Sequence, residues 1–238
     1  MITFNGQSIY QACPDIKIED IRESPVQLSP VTRQRPILPG DVYVRMQQGA
    51  KNIVINFAVL EMDMNKRKVL LNTLSKWART DSPAPLAIKT RPNVMIDAVC
   101  TKLPEPSMRQ WWESKLSMTF TAYDPYWYSV NEYSVSINTS TATTVFINGD
   151  VPPLARFTNT RSSALQSTMT FSDGVDTMSF SRHPAGTMNI DLNKQTAQVG
   201  SSTSIMQYFD PTTTFLQPKL GSVSYLGVGK FCWRERWI

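Results

Sequence analysis

Few residues in this 238-residue sequence could do covalent chemistry, and their spacing suits it poorly. The single histidine, His183, sits in Arg182-His183-Pro184, which reads as a surface turn. Nucleophilic triads and dyads need a histidine steadied by a third group, and a turn before proline offers none. Cys13, Cys100 and Cys232 are far apart, with no CxxC pair for zinc and no even set for a disulfide framework. They read as reduced thiols packed as small hydrophobes. Gly227-Val228-Gly229-Lys230 has the outline of a phosphate loop, but Ser224 replaces its first glycine and Phe231 its magnesium-binding hydroxyl. Glu61 and Asp63 are a carboxylate pair of the kind glycosidases use; they read better as a strand end and a helix cap. Asn138-Thr139-Ser140 matches a glycosylation acceptor, which means little without a secretory signal. The sequence predicts no catalytic residue, no metal site and no cofactor.

One segment could bind without reacting. In Phe231-Cys232-Trp233-Arg234-Glu235-Arg236-Trp237, alternation puts Trp233, Glu235 and Trp237 on one face with Phe231. Two tryptophans flanking a carboxylate could stack a sugar ring and accept its hydroxyls, or dock a protein partner. The competing expectation is that this aromatic face closes a sandwich core, with Glu235 paired to a cation.

The elements that would carry these residues are mostly strands. Met64 to Arg79 is the one helical pattern, with Leu70, Leu71, Leu74, Trp77 and Ala78 on one face and Arg67 at its margin. Asp63 can cap it, and Ser82-Pro83 with Pro85 prevents continuation. Around it the period is two. Ile53, Ile55, Phe57 and Val59 share one strand face, Leu116, Met118, Phe120 and Ala122 another, and Val94 to Leu103 is a third strand ending at Pro104 and Pro106. Arg35-Pro36-Ile37-Leu38-Pro39-Gly40-Asp41 predicts a protruding hairpin or arm, of more use to an assembly than to a monomer. Beyond residue 128 short strands recur every 8 to 12 residues (Tyr133 to Ile137, Thr168 to Phe171, Thr177 to Phe180, Met188 to Leu192) between turns such as Asp173-Gly174. That rhythm predicts an antiparallel sandwich. The expected fold is mainly β with one helix: a sandwich-type domain with a hairpin arm over 1–128 and a second antiparallel sandwich over 129–238.

Apolar residues make up 41% of the sequence and charged ones 18%, enough to bury a core and too apolar for disorder. No run approaches the roughly 18 apolar residues that span a bilayer. Met1 to Tyr10 lacks a basic region followed by an apolar core, so folding in a cytosol is expected. The net charge of +5 is spread out: 16 Lys or Arg against 12 Asp or Glu in 1–128, and 8 against 7 beyond. No basic stripe for nucleic acid results.

Phe120-Thr121-Ala122-Tyr123-Asp124-Pro125-Tyr126-Trp127-Tyr128 is the most distinctive segment. Physically, a strand turns at Asp124-Pro125 and three aromatics then need cover. The run also resembles the signature that closes the N-terminal domain of siphophage distal tail proteins. The likeness continues in order: the strand from Asn52 to Leu60, the helix, and the break Asp81-Ser82-Pro83 before Leu86-Ala87-Ile88. After the boundary come Asn148-Gly149, then Pro152 to Asn159, and the paired strands Met188 to Asp191 and Thr196 to Val199. Phe215-Leu216-Gln217-Pro218 is similar to a late turn of that family, with Lys219 where glycine is usual and Gly221 two residues on.

That resemblance implies a non-catalytic virion protein of the phage tail tip, assembled in the host cytoplasm. Its N-terminal domain would form a homohexameric ring around a channel for the genome, and its second, galectin-like or carbohydrate-module-like sandwich would project outward. Implied partners are the tail tube protein, a tail-tip or tail-associated protein and a receptor-binding protein, with no specific nucleic acid and no membrane insertion. Asp124, Pro125, Tyr126, Trp127 and Tyr128 would mark the domain junction. The alternative expectation is a carbohydrate-binding module for a host cell-wall saccharide; an enzyme and a DNA-binding protein have less in their favour.

Overall fold

The computed structural model of the protein describes residues 2–34, 41–61, 63–104 and 114–238. The chain divides into two compact units, Met1–Trp127 and Tyr128–Ile238.

In the first unit the strands are β1 (Ile2–Phe4), β2 (Gln7–Ser8), β3 (Ile16–Glu23), β4 (Leu28–Gln34), β5 (Asp41–Gln48), β6 (Lys51–Val59), β7 (Ala84–Ile88), β8 (Val94–Lys102) and β9 (Ser114–Ala122). They run with a one-turn helix, α1 (Ile9–Ala12), and a long one, α2 (Met64–Ala78). Antiparallel pairing gives the order β3-β6-β9-β8-β7-β1-β2. β8 serves both ends of this ribbon, pairing β7 through Ile96 to Ala98 and β9 through Val99 to Lys102, with a register shift after Cys100. The ribbon folds back on itself, so Phe4 of β1 meets Phe120 of β9 edge to face at 4.9 Å. Trp77 of α2 closes the trio, 5.8 Å from Phe4 and 6.2 Å from Phe120.

Local chemistry accounts for these elements. Asp63 accepts from the backbone N–H groups of Asn65 (2.8 Å) and Lys66 (3.4 Å), satisfying two donors that the first turn of α2 leaves free. The helix buries Leu70, Leu74, Trp77 and Ala78, while Leu71 and Arg67 are half-buried. Its last residue is Ala78, and Arg79 is extended, before the prolines can interfere. On β6 Ile53, Ile55, Phe57 and Val59 are buried, and the opposite face, apart from exposed Asn52, is half-buried.

The second unit begins where β10 (Trp127–Ser129) carries the chain across the division. Its strands are β11 (Tyr133–Ile137), β12 (Thr143–Ile147), β13 (Val151–Arg161), β14 (Met169–Ser172), β15 (Thr177–Phe180), β16 (Gly186–Asp191), β17 (Thr196–Val199), β18 (Thr203–Ser204), β19 (Gly221–Tyr225) and β20 (Gly229–Trp237). One sheet has the order β18-β17-β16-β13-β20-β11. The antiparallel pairs β12-β19 and β14-β15 form the facing layer, linked by a bridge between Ser172 and Leu226. Phe157 of β13 stacks on Phe171 of β14 at 4.6 Å, and Tyr225 of β19 lies 4.1 Å from Phe231 of β20. The mostly β architecture with one long helix is as expected from the sequence. Gly229 has φ 106°, and a Cβ there would fall on the Thr158 carbonyl oxygen. This glycine serves strand pairing, not a phosphate.

Candidate functional site

The aromatic run begins as an Asx turn. Asp124 Oδ1 accepts from the Tyr126 backbone N–H at 3.4 Å, across a buried Pro125. Tyr126 is half-buried and its hydroxyl bonds Gln48 Oε1 at the end of β5. Trp127 is fully buried, Tyr128 is buried and Tyr123 is exposed.

Trp127 sits in a charged setting. The Arg91 guanidinium lies 5.2 Å from its ring and Lys51 Nζ 6.0 Å, both within cation–π range. Glu23 joins the two cations, taking Arg91 Nε at 3.1 Å and Lys51 Nζ at 3.8 Å. Lys51 is almost wholly buried, and this burial holds its pKa below the usual 10.5. Nearby Arg91 pushes the same way and Glu23 opposes it. A desolvated cation of this kind persists only beside a counter-charge. The sequence reasoning missed Glu23, Lys51 and Arg91, which come from three separate segments. One signal was available: Lys51 shares the two-residue period of Ile53, Ile55, Phe57 and Val59, so it falls on the buried face of β6.

β4 and β5 form a separate two-stranded ribbon, from Leu28 opposite Gln48 to Gln34 opposite Asp41. A bulge falls at Val44, since Val31 faces Arg45 and Thr32 faces Tyr43. Leu28, Tyr43, Val44 and Met46 are each more than half exposed. The predicted arm tip, residues 35–40, lies outside the described residues, as does Pro106.

In the second unit, the face of β20 that carries Trp233 and Glu235 points inward. Trp233 is 8% exposed and stacks on Phe231 at 5.3 Å and on Tyr133 at 5.6 Å. Glu235 is 6% exposed and accepts from the Asn148 backbone N–H (3.0 Å) and side-chain amide (3.2 Å), not from the expected cation. Trp237 is half-buried at the strand end. Trp233 and Glu235 are thus covered, and Trp237 is the most accessible of the three.

The remaining chemical candidates have structural partners. His183 is buried and not on the surface as the turn suggested. Its backbone pairs with Leu165, Nε2 meets the Asn159 amide at 2.9 Å, and Nδ1 meets the Pro184 carbonyl at 2.8 Å. Burial pushes the Cys100 thiol up to about 11, and burial with Asp15 raises Cys13, so neither is a ready thiolate. Among the described residues no three His, Cys, Asp or Glu side chains gather as metal ligands. No helix among them is long and apolar enough to cross a membrane.

The described residues thus form two strand-rich units, the first with one long helix and a separate two-stranded hairpin. No family model and no curated protein sequence matches the chain. Among solved structures it is similar to the SPP1 Dit protein, gp 19.1, described as a paradigm of hub adsorption apparatus in Gram-positive infecting phages. That likeness covers 100% of this chain and 98% of the other, with a TM-score of 0.77 at 14% identity. The fold is therefore that of the phage Dit protein along the whole chain. A chain of the phage P2 baseplate in its activated conformation with Ca is a more distant likeness: 9% identity, TM-score 0.47, covering 93% of this chain and 90% of that one.

Proposed function

We propose that the protein is a distal tail protein, a ring-forming hub at the tip of a phage tail. The observation that carries this reading is the fold shared end to end with the SPP1 hub protein. The exposed β4-β5 ribbon supports it independently, because two strands with apolar side chains in water are at best marginally stable alone and gain most by meeting another chain. In this reading residues 1–128 build a homohexamer through a heterologous interface that closes on itself. The ring joins the tail tube protein to tail-tip, tail-associated and receptor-binding components, and its opening passes the genome. The protein is assembled in the host cytoplasm and resides in the virion.

Residues 129–238 form a galectin-like outer module that serves as scaffold and host-attachment platform. Burial of Trp233 and Glu235 favours that role over a saccharide receptor. Asp124, Pro125, Tyr126, Trp127 and Tyr128 act as the junction signature, and the charge cluster on Trp127 fixes the point at which the chain leaves the ring-forming unit. Negative-stain electron microscopy of the purified chain at tens of micromolar tests the reading. Class averages with a central opening and rotational symmetry are expected; a field of single small particles, with and without the tail tube protein, would refute it.

A further inference from the structure

The first unit holds a hairpin without a seat and a seat without an occupant. Between the α1–β3 turn and α2 lies a cleft of about 210 Å³, lined by Cys13, Asp15, Glu61, Lys66, Val69 and Leu70 among others. It is smaller than the roughly 300–1,000 Å³ of sites that enclose small molecules, so it suits a single anchoring side chain. Its rim is apolar at Val69, which is 65% exposed on a helix position where a polar residue would be usual. Its lining is acidic on balance, with Asp15 and Glu61 against Lys66.

The ribbon has the opposite character. Its two strands carry Arg33 and Arg45 against Asp41 alone. Tyr43, Val44 and Met46 of β5 are exposed, so the ribbon of this copy does not bury them in its own cleft. We propose that the β4-β5 hairpin of one copy docks on the α2 cleft of the next. An apolar side chain of β5 enters beside Val69, and Arg33 and Arg45 face Asp15 and Glu61. A basic arm on one side of a subunit and an acidic cleft elsewhere make a heterologous contact, the kind that repeats around a ring. This inference rests on the ring reading above and adds which surfaces meet.

The full chain carrying Val69→Lys, Asp15→Lys or Arg45→Glu tests it, with assembly read by sedimentation velocity across a concentration series. All three positions are exposed, so circular dichroism is expected to match wild type. Each single variant is expected to need at least about ten-fold more protein to assemble. The combined Asp15→Lys, Arg45→Glu variant is expected to recover part of that loss, because the swapped charges again attract. A wild-type ring with all three variants assembling normally would overturn the seat and leave the ring standing, the cleft then belonging to another protein. A double variant worse than either single would also overturn it. A wild-type protein that never assembles would refute the ring reading itself, and the seat with it.

Discussion

Truncating Trp127 to Ala is expected to destabilise the first unit by about 3–5 kcal/mol. The residue is fully buried. An indole buries roughly 150–250 Å², which at about 25 cal/mol per Å² corresponds to about 4–6 kcal/mol of lost transfer free energy if nothing collapses into the gap. The cations above it add to the loss, since Arg91 and Lys51 would no longer face a π surface. Trp127→Phe separates these contributions. The Trp127 indole N–H is buried and finds no hydrogen-bond partner among the described residues, so phenylalanine removes a costly donor while keeping most of the ring. That variant is expected to cost only about 1 kcal/mol. The assay is urea unfolding of the full chain followed by circular dichroism, fitted with separate transitions because two units need not unfold together. The Ala variant is expected to move one transition and leave the other in place. A change under about 0.5 kcal/mol, the range of ordinary surface substitutions, would refute the reasoning.

Three further outcomes follow from the same structure. Glu23→Gln removes the carboxylate paired with buried Lys51 and is expected to cost about 2–3 kcal/mol, whereas Lys51→Met is expected to be neutral or stabilising; denaturant titration with the opposite ranking would contradict the cluster's electrostatics. Asp173 has a buried carboxyl whose pKa burial raises, but Lys219 and the Asp176 and Val175 N–H groups outweigh this and hold it below 3.8. Its stabilisation is therefore complete above 3.8 and is lost as pH falls through the lowered value. Acid unfolding of the second unit should show that loss, and Lys219→Met should flatten it. Titration with cell-wall saccharides, followed by tryptophan fluorescence, is expected to give no saturation tighter than about 1 mM; binding that Trp233→Ala abolishes without unfolding would restore the receptor reading.

The parts legible in the sequence were those set by short-range periodicity. The α2 pattern, its Asp63 cap and the alternation of β6 and β9 each needed only a window of about ten residues. The charge cluster on Trp127 was not legible as a unit, since Glu23, Lys51 and Arg91 meet only after β3, β6 and the β7–β8 turn are in place. His183 misled for a related reason. Arg182-His183-Pro184 has turn chemistry, yet Leu165 pairs with the His183 backbone from a distant loop and Asn159 meets its ring. β12 went unread because Phe146 points outward and breaks its alternation, whereas β19 alternates, with Val223 and Tyr225 inward, but over only five residues. The inward face of Trp233 followed from alternation, but its stacking on Tyr133 needed the pairing of β11 with β20.

The central claim is a closed ring, and mass in solution tests it most directly. Multi-angle light scattering on the purified chain, alone and mixed with its tail tube protein, is expected to give one discrete species at six times the 26.9 kDa chain mass. A monomer at every concentration, unchanged by the tube protein, would contradict the account.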